Sequence, residues 1–172
     1  MGSRKGNVIT GEALLNDVRD AILEKMTDRD FGNDDREKVA TDVGVSAIKY
    51  SILRSASGSD IIYNVEESIS TEGDSGPYLQ YSYVRAEAVL TKAGKIGTIK
   101  ELPQKVETLE KLLVRFPEII EDTSRDYQVQ RLTHYASELS HTFHNFYEKE
   151  RIIGEKDKDL IVVTADMGAP SL

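Results

Sequence analysis

Apolar residues recur every three or four positions along most of this 172-residue chain, the spacing of helices that press one face against a core. In the first such run the apolar positions are Leu14, Val18, Ala21, Ile22 and Met26. Thr10 precedes this run as a suitable N-cap, and Glu12 is favourable in a first helical turn. The pattern therefore predicts a helix that begins just after Thr10.

The same spacing and the proline and glycine positions predict the remaining helices. They are expected from Asp35 to Ala56, from Pro77 to Gly94, between Pro103 and Pro117, just after Pro117, and from about Tyr127 to Arg151. The stretch "DIIYNVEESIS" alternates like a strand, but no partner strand is visible, so an extended connector is predicted. The pattern predicts an all-α, antiparallel helical bundle of five or six helices.

Two helices carry specific expectations about which face is buried. In the second helix the predicted core stripe is Val39, Val43, Ala47, Tyr50 and Leu53. In the last helix the inward positions are expected to be Leu132, Tyr135, Leu139, Thr142, Phe143 and Phe146.

The stretch "GDSGPYLQYSYVR" predicts a helix with two different faces. The expected core positions are Leu79, Tyr83, Ala86 and Leu90. Tyr78, Tyr81 and Arg85 fall at i, i+3 and i+7 on the opposite face, where aromatic rings and a guanidinium could stack on unpaired RNA bases. Alternatively, these tyrosines pack their rings against neighbouring helices and leave their hydroxyl groups in solvent.

The composition narrows the classes of function. The chain has no cysteine, no apolar run near the roughly 20 residues that span a bilayer, and no signal-peptide core, so neither membrane attachment nor secretion is expected. A net charge of -8 argues against a protein that binds nucleic acid non-specifically. Any contact with RNA must be local, and Arg4 and Lys5 beside Gly6 form one such basic spot.

Catalytic and metal-binding patterns are weak. His141 and His144 are three residues apart, but two histidines without cysteine or an HExxH pattern do not predict a zinc site, and surface or capping roles are favoured. The stretch "EGDSG" faintly resembles the turn that presents a nucleophilic serine, but Ser75 does not lie between a strand and a helix, as such a nucleophile would. No catalytic triad, Walker loop or dinucleotide-binding fingerprint is present either. No metal site is predicted.

Five stretches in order resemble the later part of class I arginyl-tRNA synthetases: "SRKGNVITGEALL", "VGVSAIKYSIL", "EGDSGPYLQYSYVR", "LLVRFPEII" and "YASELSHTFHNFYE". The resemblance covers nearly the whole chain. Its most specific part is the GPYLQYxxxR helix that follows a VGxxAIKY helix. The opening resembles the KMSK-type loop of that family, without its first lysine.

The resemblance implies an enzyme that uses ATP and Mg²⁺ to activate arginine and attaches it to its tRNA in the cytoplasm. Residues 1–30 would be the KMSK-type loop and connecting helix, where Arg4 and Lys5 stabilise pyrophosphate. Residues 31–172 would be the anticodon-binding helical domain of this class of enzymes. The residues it implies for tRNA contact are Tyr78, Gln80, Tyr81, Arg85 and Tyr147.

The sequence also departs from that family. The HIGH motif and the nucleotide-binding half are absent, so this chain alone is expected to be inactive and to bind no ATP. It would work with the catalytic domain of the same enzyme and with tRNA for arginine, not with DNA or a membrane. A free-standing tRNA-binding or regulatory module, and a plain protein-interaction bundle, remain the alternatives.

Overall fold

The structure, a computed structural model, describes residues 9–26, 33–94 and 106–149, and within these ranges it contains helices and no strand. The helices are α1 (Gly11–Lys25), α2 (Asn33–Leu53), α3 (Val65–Ser68), α4 (Gly76–Ala93), α5 (Thr108–Val114), α6 (Phe116–Asp126) and α7 (Gln130–Lys149). The all-α prediction is confirmed. The chain divides into two compact units, residues 1–81 and 82–172, with the division inside α4.

The core of the first unit lies between α1 and α2, with the short α3 packed on both. Its buried residues are Val18, Ile22, Ala40, Ala47 and Ile69. Helix α1 begins as predicted, because the Thr10 hydroxyl oxygen accepts a hydrogen bond of 3.1 Å from the Ala13 amide. The expected connector, residues 60–70, is only partly present: residues 60–64 have no regular structure, but Val65–Ser68 form α3. The Asn64 side chain caps this short helix by accepting a hydrogen bond from the Glu67 amide.

The predicted core stripe of α2 is partly wrong. Ala47 and Tyr50 are buried, but Val39 and Leu53 are exposed, and Ala40 and Gly44 lie in the interface instead. Gly44 faces α1 so closely that a Cβ atom at this position would lie 3.4 Å from a side-chain carbon of Val18. Small residues on this face let the two helix backbones approach, and so the contact follows small side chains and not the large apolar ones.

The second unit packs α5 and α6 against α7. Leu112 and Tyr135 are buried, and the Tyr135 hydroxyl donates a 3.0 Å hydrogen bond to the Leu112 carbonyl. Pro117 lies in the first turn of α6, as its missing N–H favours. Helix α7 begins at Gln130, later than predicted, because Tyr127 adopts a left-handed backbone with φ 57°.

The inward face of α7 is more polar than predicted. Tyr135 is buried as expected, while Leu132, Leu139, Thr142, Phe143 and Phe146 are only partly buried. The other buried residues of this helix are Ser137, Ser140 and His144.

Several predictions fall outside the described residues: the basic spot with Arg4 and Lys5, the helix start at Pro103, and the chain beyond residue 149. The predicted division after residue 30 also falls among residues that are not described, and it stays a prediction.

Candidate nucleic-acid interface

A polar and aromatic cluster lies between α7 and the middle of α4. The Ser82 hydroxyl is 2.8 Å from Nε2 of His144, and one guanidinium nitrogen of Arg85 is 2.8 Å from Nδ1 of the same ring. The guanidinium carbon of Arg85 lies 4.3 Å from the ring centroid of Tyr147. One histidine therefore joins a buried serine to an arginine that covers an aromatic ring.

The hydrogen bonds define the charge and tautomer of His144. A guanidinium has only N–H donors, so Nδ1 of His144 must be the acceptor in the bond with Arg85. In a neutral imidazole the other nitrogen then carries the proton, and Nε2–H donates to the Ser82 hydroxyl oxygen. The geometry thus requires a neutral His144 with its proton on Nε2.

The surroundings favour the same neutral state. Burial lowers the pKa of His144 from its usual value of 6.5, and the nearby Arg85 and His141 lower it further, against an opposing effect of Glu148. With 8% of its surface exposed, His144 is neither a surface nor a capping residue, and that expectation is wrong. The reason is tertiary: the partners that satisfy it come from α4, 59 and 62 residues away in sequence.

Arg85 and Tyr147 form the part of the cluster that is only half-buried. Phe143 supports the Tyr147 ring from within α7, with ring centroids 6.1 Å apart. A flat guanidinium on a tyrosine face presents a planar cation next to an aromatic surface. Such a pair can stack on an unpaired base, and the guanidinium can also bind a phosphate.

The start of α4 explains much of the "DSGPY" stretch in structural terms. Ser75 is buried, donates to the Ser70 carbonyl and accepts a 3.1 Å hydrogen bond from the Tyr78 amide, so it is the N-cap. Gly76 lies against α2, where a built Cβ would be 2.5 Å from the Ser46 carbonyl oxygen. The sequence showed a capping serine there, but the prediction weighed Ser75 only as a nucleophile.

The predicted faces of α4 are rotated from the observed ones. Tyr78, expected to be exposed, has 8% of its surface exposed, whereas Tyr83, expected in the core, has 68% exposed. The buried side of the helix instead follows Tyr78 and Ser82, between the two predicted faces. Burial here is decided by the close approach at Gly76 and the bond from Ser82 to His144, neither of which is visible in the apolar spacing.

The remaining residues implied for tRNA contact lie on the accessible part of α4. Gln80 is exposed, and Tyr81 has 45% of its surface exposed. The most exposed aromatic ring of this helix, Tyr83, was missed, because its spacing to Leu79 and Leu90 resembled a core stripe. The structure therefore brings Arg85 and Tyr147 into contact, while RNA contacts at all five positions stay a prediction.

No other feature of the described residues indicates a metal site, a membrane-spanning helix or a phosphate-binding site. No group of three or more His, Asp or Glu residues among them could hold a metal ion. None of their helices is long and apolar enough to cross a membrane. A shallow hollow in the first unit is lined by Arg54, Glu66, Glu67, Ser70, Glu72 and Asp74. Four carboxylates against one guanidinium make that hollow repulsive to phosphates.

Comparisons with known proteins converge on one family. Residues 79–165 match the DALR anticodon binding domain. The chain is 32% identical to an arginine–tRNA ligase of Pyrococcus abyssi, over 94% of this chain and 28% of that protein. It is 33% identical to an arginine–tRNA ligase of Borreliella afzelii, over 93% of this chain and 29% of that protein. The chain spans less than a third of the length of these relatives.

Solved structures show the same similarity. A Thermus thermophilus arginyl-tRNA synthetase superposes with a TM-score of 0.72 at 25% identity, over 85% of this chain and 25% of that one. A Plasmodium falciparum arginyl-tRNA synthetase shares the fold, with a TM-score of 0.60 at 22% identity over 86% of this chain and 27% of that one. The four residues of the Arg85 cluster, Ser82, Arg85, His144 and Tyr147, lie within residues 79–165, which match the DALR anticodon binding domain.

Proposed function

The chain belongs to the arginyl-tRNA synthetase family, as the part that contains the DALR anticodon-binding domain, and on this premise we propose that it recognises the anticodon loop of the tRNA for arginine. The enzyme of which it forms part would attach arginine to that tRNA with ATP. Ligase activity is proposed for the whole enzyme, because the chain spans only 28% of a relative that carries this name.

The observation that carries the proposal is the contact between Arg85 and Tyr147. The two side chains come from α4 and α7, both inside the matched domain, and they meet with the guanidinium 4.3 Å from the ring centroid. Both are accessible enough to touch a ligand. Anticodon bases are unpaired, and unpaired bases are the part of an RNA that aromatic and guanidinium planes can stack on.

The other residues implied for tRNA contact differ in how accessible they are to RNA. Gln80 and Tyr81 are proposed as further RNA contacts, because both are accessible on α4. For Tyr78, RNA contact stays a prediction, since its ring is buried near the start of that helix. Arg4 and Lys5 are proposed to stabilise pyrophosphate in the whole enzyme. ATP and Mg²⁺ are proposed for that enzyme too, with no described residue assigned to either, and its proposed location is the cytoplasm.

The test is a binding titration of the 172-residue chain by fluorescence anisotropy. Labelled tRNA for arginine is compared with a tRNA of different anticodon at two salt concentrations. We expect preferential binding of the first tRNA that weakens with salt. Equal binding of both tRNAs would overturn anticodon recognition by this chain.

The variant Arg85→Ala locates the interaction on the cluster. We expect it to weaken binding by about 1 to 3 kcal/mol if a base is stacked there, and to reduce the slope of log affinity against log salt by about 1 if the guanidinium also meets a phosphate. Arg125→Ala is the matched control, because Arg125 is exposed and already paired with Glu121 and Asp122. An equal effect of both variants would mean that only general charge matters.

A further inference from the structure

The position of the Arg85 guanidinium over the Tyr147 ring depends on more than the ring itself. An arginine side chain has several rotatable bonds, and a free one on a helix surface samples many rotamers at an entropic cost to any ligand that requires one of them. In this structure His144 takes one guanidinium nitrogen in a 2.8 Å hydrogen bond, while the guanidinium carbon stays 4.3 Å from the Tyr147 centroid. The bond with His144 and the cation–π contact with Tyr147 fix the guanidinium at two points.

His144 is itself held in place. It is buried, its Nε2 is 2.8 Å from the buried Ser82 hydroxyl, and its ring lies 5.6 Å from that of Phe143. The guanidinium can only donate, so the bond with Arg85 selects the tautomer that keeps a lone pair on Nδ1, and the Ser82 hydroxyl oxygen accepts the proton on Nε2. Ser82 and Arg85 are three residues apart on α4, so a single histidine bonds two neighbouring side chains of the facing helix.

We infer that Ser82 and His144 are positioning residues, which hold the Arg85 guanidinium over the Tyr147 ring and so keep a platform for an unpaired nucleobase preformed. This inference rests on the proposed function, because it assigns the platform to the same RNA. His144 and Ser82 act through Arg85 and are not themselves contacts of the base. Affinity is gained because the rotamer of Arg85 is set before RNA arrives.

A double-mutant cycle tests whether His144 acts through Arg85. The 172-residue chain, His144→Phe, Arg85→Ala and the double variant are titrated with an anticodon stem-loop of tRNA for arginine. His144→Phe keeps a ring in the core but removes both hydrogen bonds, and we expect about fivefold weaker binding, the value of one hydrogen bond. In the Arg85→Ala background the same change should have little further effect.

Two further variants separate positioning from mere packing. His144→Asn can offer an amide oxygen to Arg85 near the place of Nδ1, and it should bind RNA more tightly than His144→Phe. His134→Phe makes the same change at an exposed position of α7 and should leave binding unchanged. If His144→Phe does not fold by circular dichroism, Ser82→Ala replaces it in the cycle, with weaker binding expected only when Arg85 is present.

The outcomes are distinct. Additive losses from His144→Phe and Arg85→Ala, or no loss from the histidine change, would overturn the positioning role and leave anticodon recognition intact. Wild-type binding that Arg85→Ala does not weaken would overturn the platform itself, and with it both the proposed site and this inference. A loss from His144→Phe that vanishes without Arg85 would support the inference.

Discussion

His144 shows how burial and one cationic neighbour together decide the charge of a residue. Its Nδ1 faces a guanidinium and its Nε2 faces a hydroxyl, so the neutral ring satisfies both neighbours and a charged ring would face Arg85 with a second proton. Burial adds to this preference, because the charged form loses its hydration. The folded state therefore lowers the pKa of His144 below 6.5.

The lowered pKa predicts how stability changes with pH. His144 is neutral in both states above pH 6.5, its usual pKa, so its contribution is fully present there. As the pH falls through 6.5 and then through the lower folded pKa, the unfolded chain binds the proton first and the free energy of unfolding decreases.

Urea unfolding at a series of pH values from 8 to 5 measures this effect. The decrease in stability on acidification should be smaller in His144→Asn, which cannot bind a proton, than in the wild-type chain. His134→Phe removes an exposed histidine and serves as the control. If acidification destabilises His144→Asn as much as it does the wild type, the decrease has another origin.

Among the helices, α4 is defined by its first turn. Ser75 caps it, Pro77 lies in its first turn, and Gly76 lets its backbone pass close to that of α2 at Ser46. The GPY part of the motif is therefore explained by packing within the first unit. Gly94, with φ 69°, ends the helix as predicted.

Two glycines offer a direct test of this account. Gly76→Ala would place a Cβ 2.5 Å from the Ser46 carbonyl oxygen, and we expect a loss of about 1 to 3 kcal/mol of stability, typical of overpacking. Gly44→Ala would meet side-chain carbons at 3.4 to 3.7 Å, an ordinary contact, and alanine is the better helix residue by about 1 kcal/mol. Gly44→Ala should therefore be neutral or stabilising.

Thermal unfolding followed by circular dichroism compares the two substitutions, which are chemically identical and both lie in helices. We expect a lower melting temperature for Gly76→Ala and an unchanged or higher one for Gly44→Ala. Equal stability of the two variants would mean that the start of α4 moves away from Ser46 at little cost.

Across the whole molecule, the net charge of -8 limits how it can bind a polyanion. General attraction to phosphates requires an excess of positive charge, which this chain lacks. The proposed recognition of RNA must then depend on unpaired bases that meet a few side chains. A DNA duplex offers phosphates but hides the faces of its bases in the stack.

A competition experiment measures how far binding depends on unpaired bases and how far on phosphates. Unlabelled duplex DNA should displace a bound anticodon stem-loop only at concentrations much higher than those at which the unlabelled stem-loop does. We expect this difference to persist at both salt concentrations, because stacking depends less on salt than phosphate contact does. Equal competition by both nucleic acids would mean that phosphate contact dominates.

The order and type of the described helices were determined by the sequence alone, except for the short α3, which was predicted as an extended connector. Helix positions are indicated by apolar spacing and by capping or helix-ending residues such as Thr10, Pro77, Pro117 and Gly94. These signals act within a few residues of chain, so they can be interpreted without knowledge of the fold. The motifs that resemble arginyl-tRNA synthetases could also be recognised in the sequence alone, and the comparisons confirm the family.

Only the tertiary structure decided which side chains face inward. Tyr78 and Tyr83 exchanged their predicted positions because α4 is oriented by the close contact at Gly76 and by the bond from Ser82 to His144. The partners of His144 lie on another helix, so its burial and charge have no local signature in α7. Contacts between residues far apart in sequence set the rotation of each helix, and apolar spacing cannot report the rotation when small and polar residues make the contact.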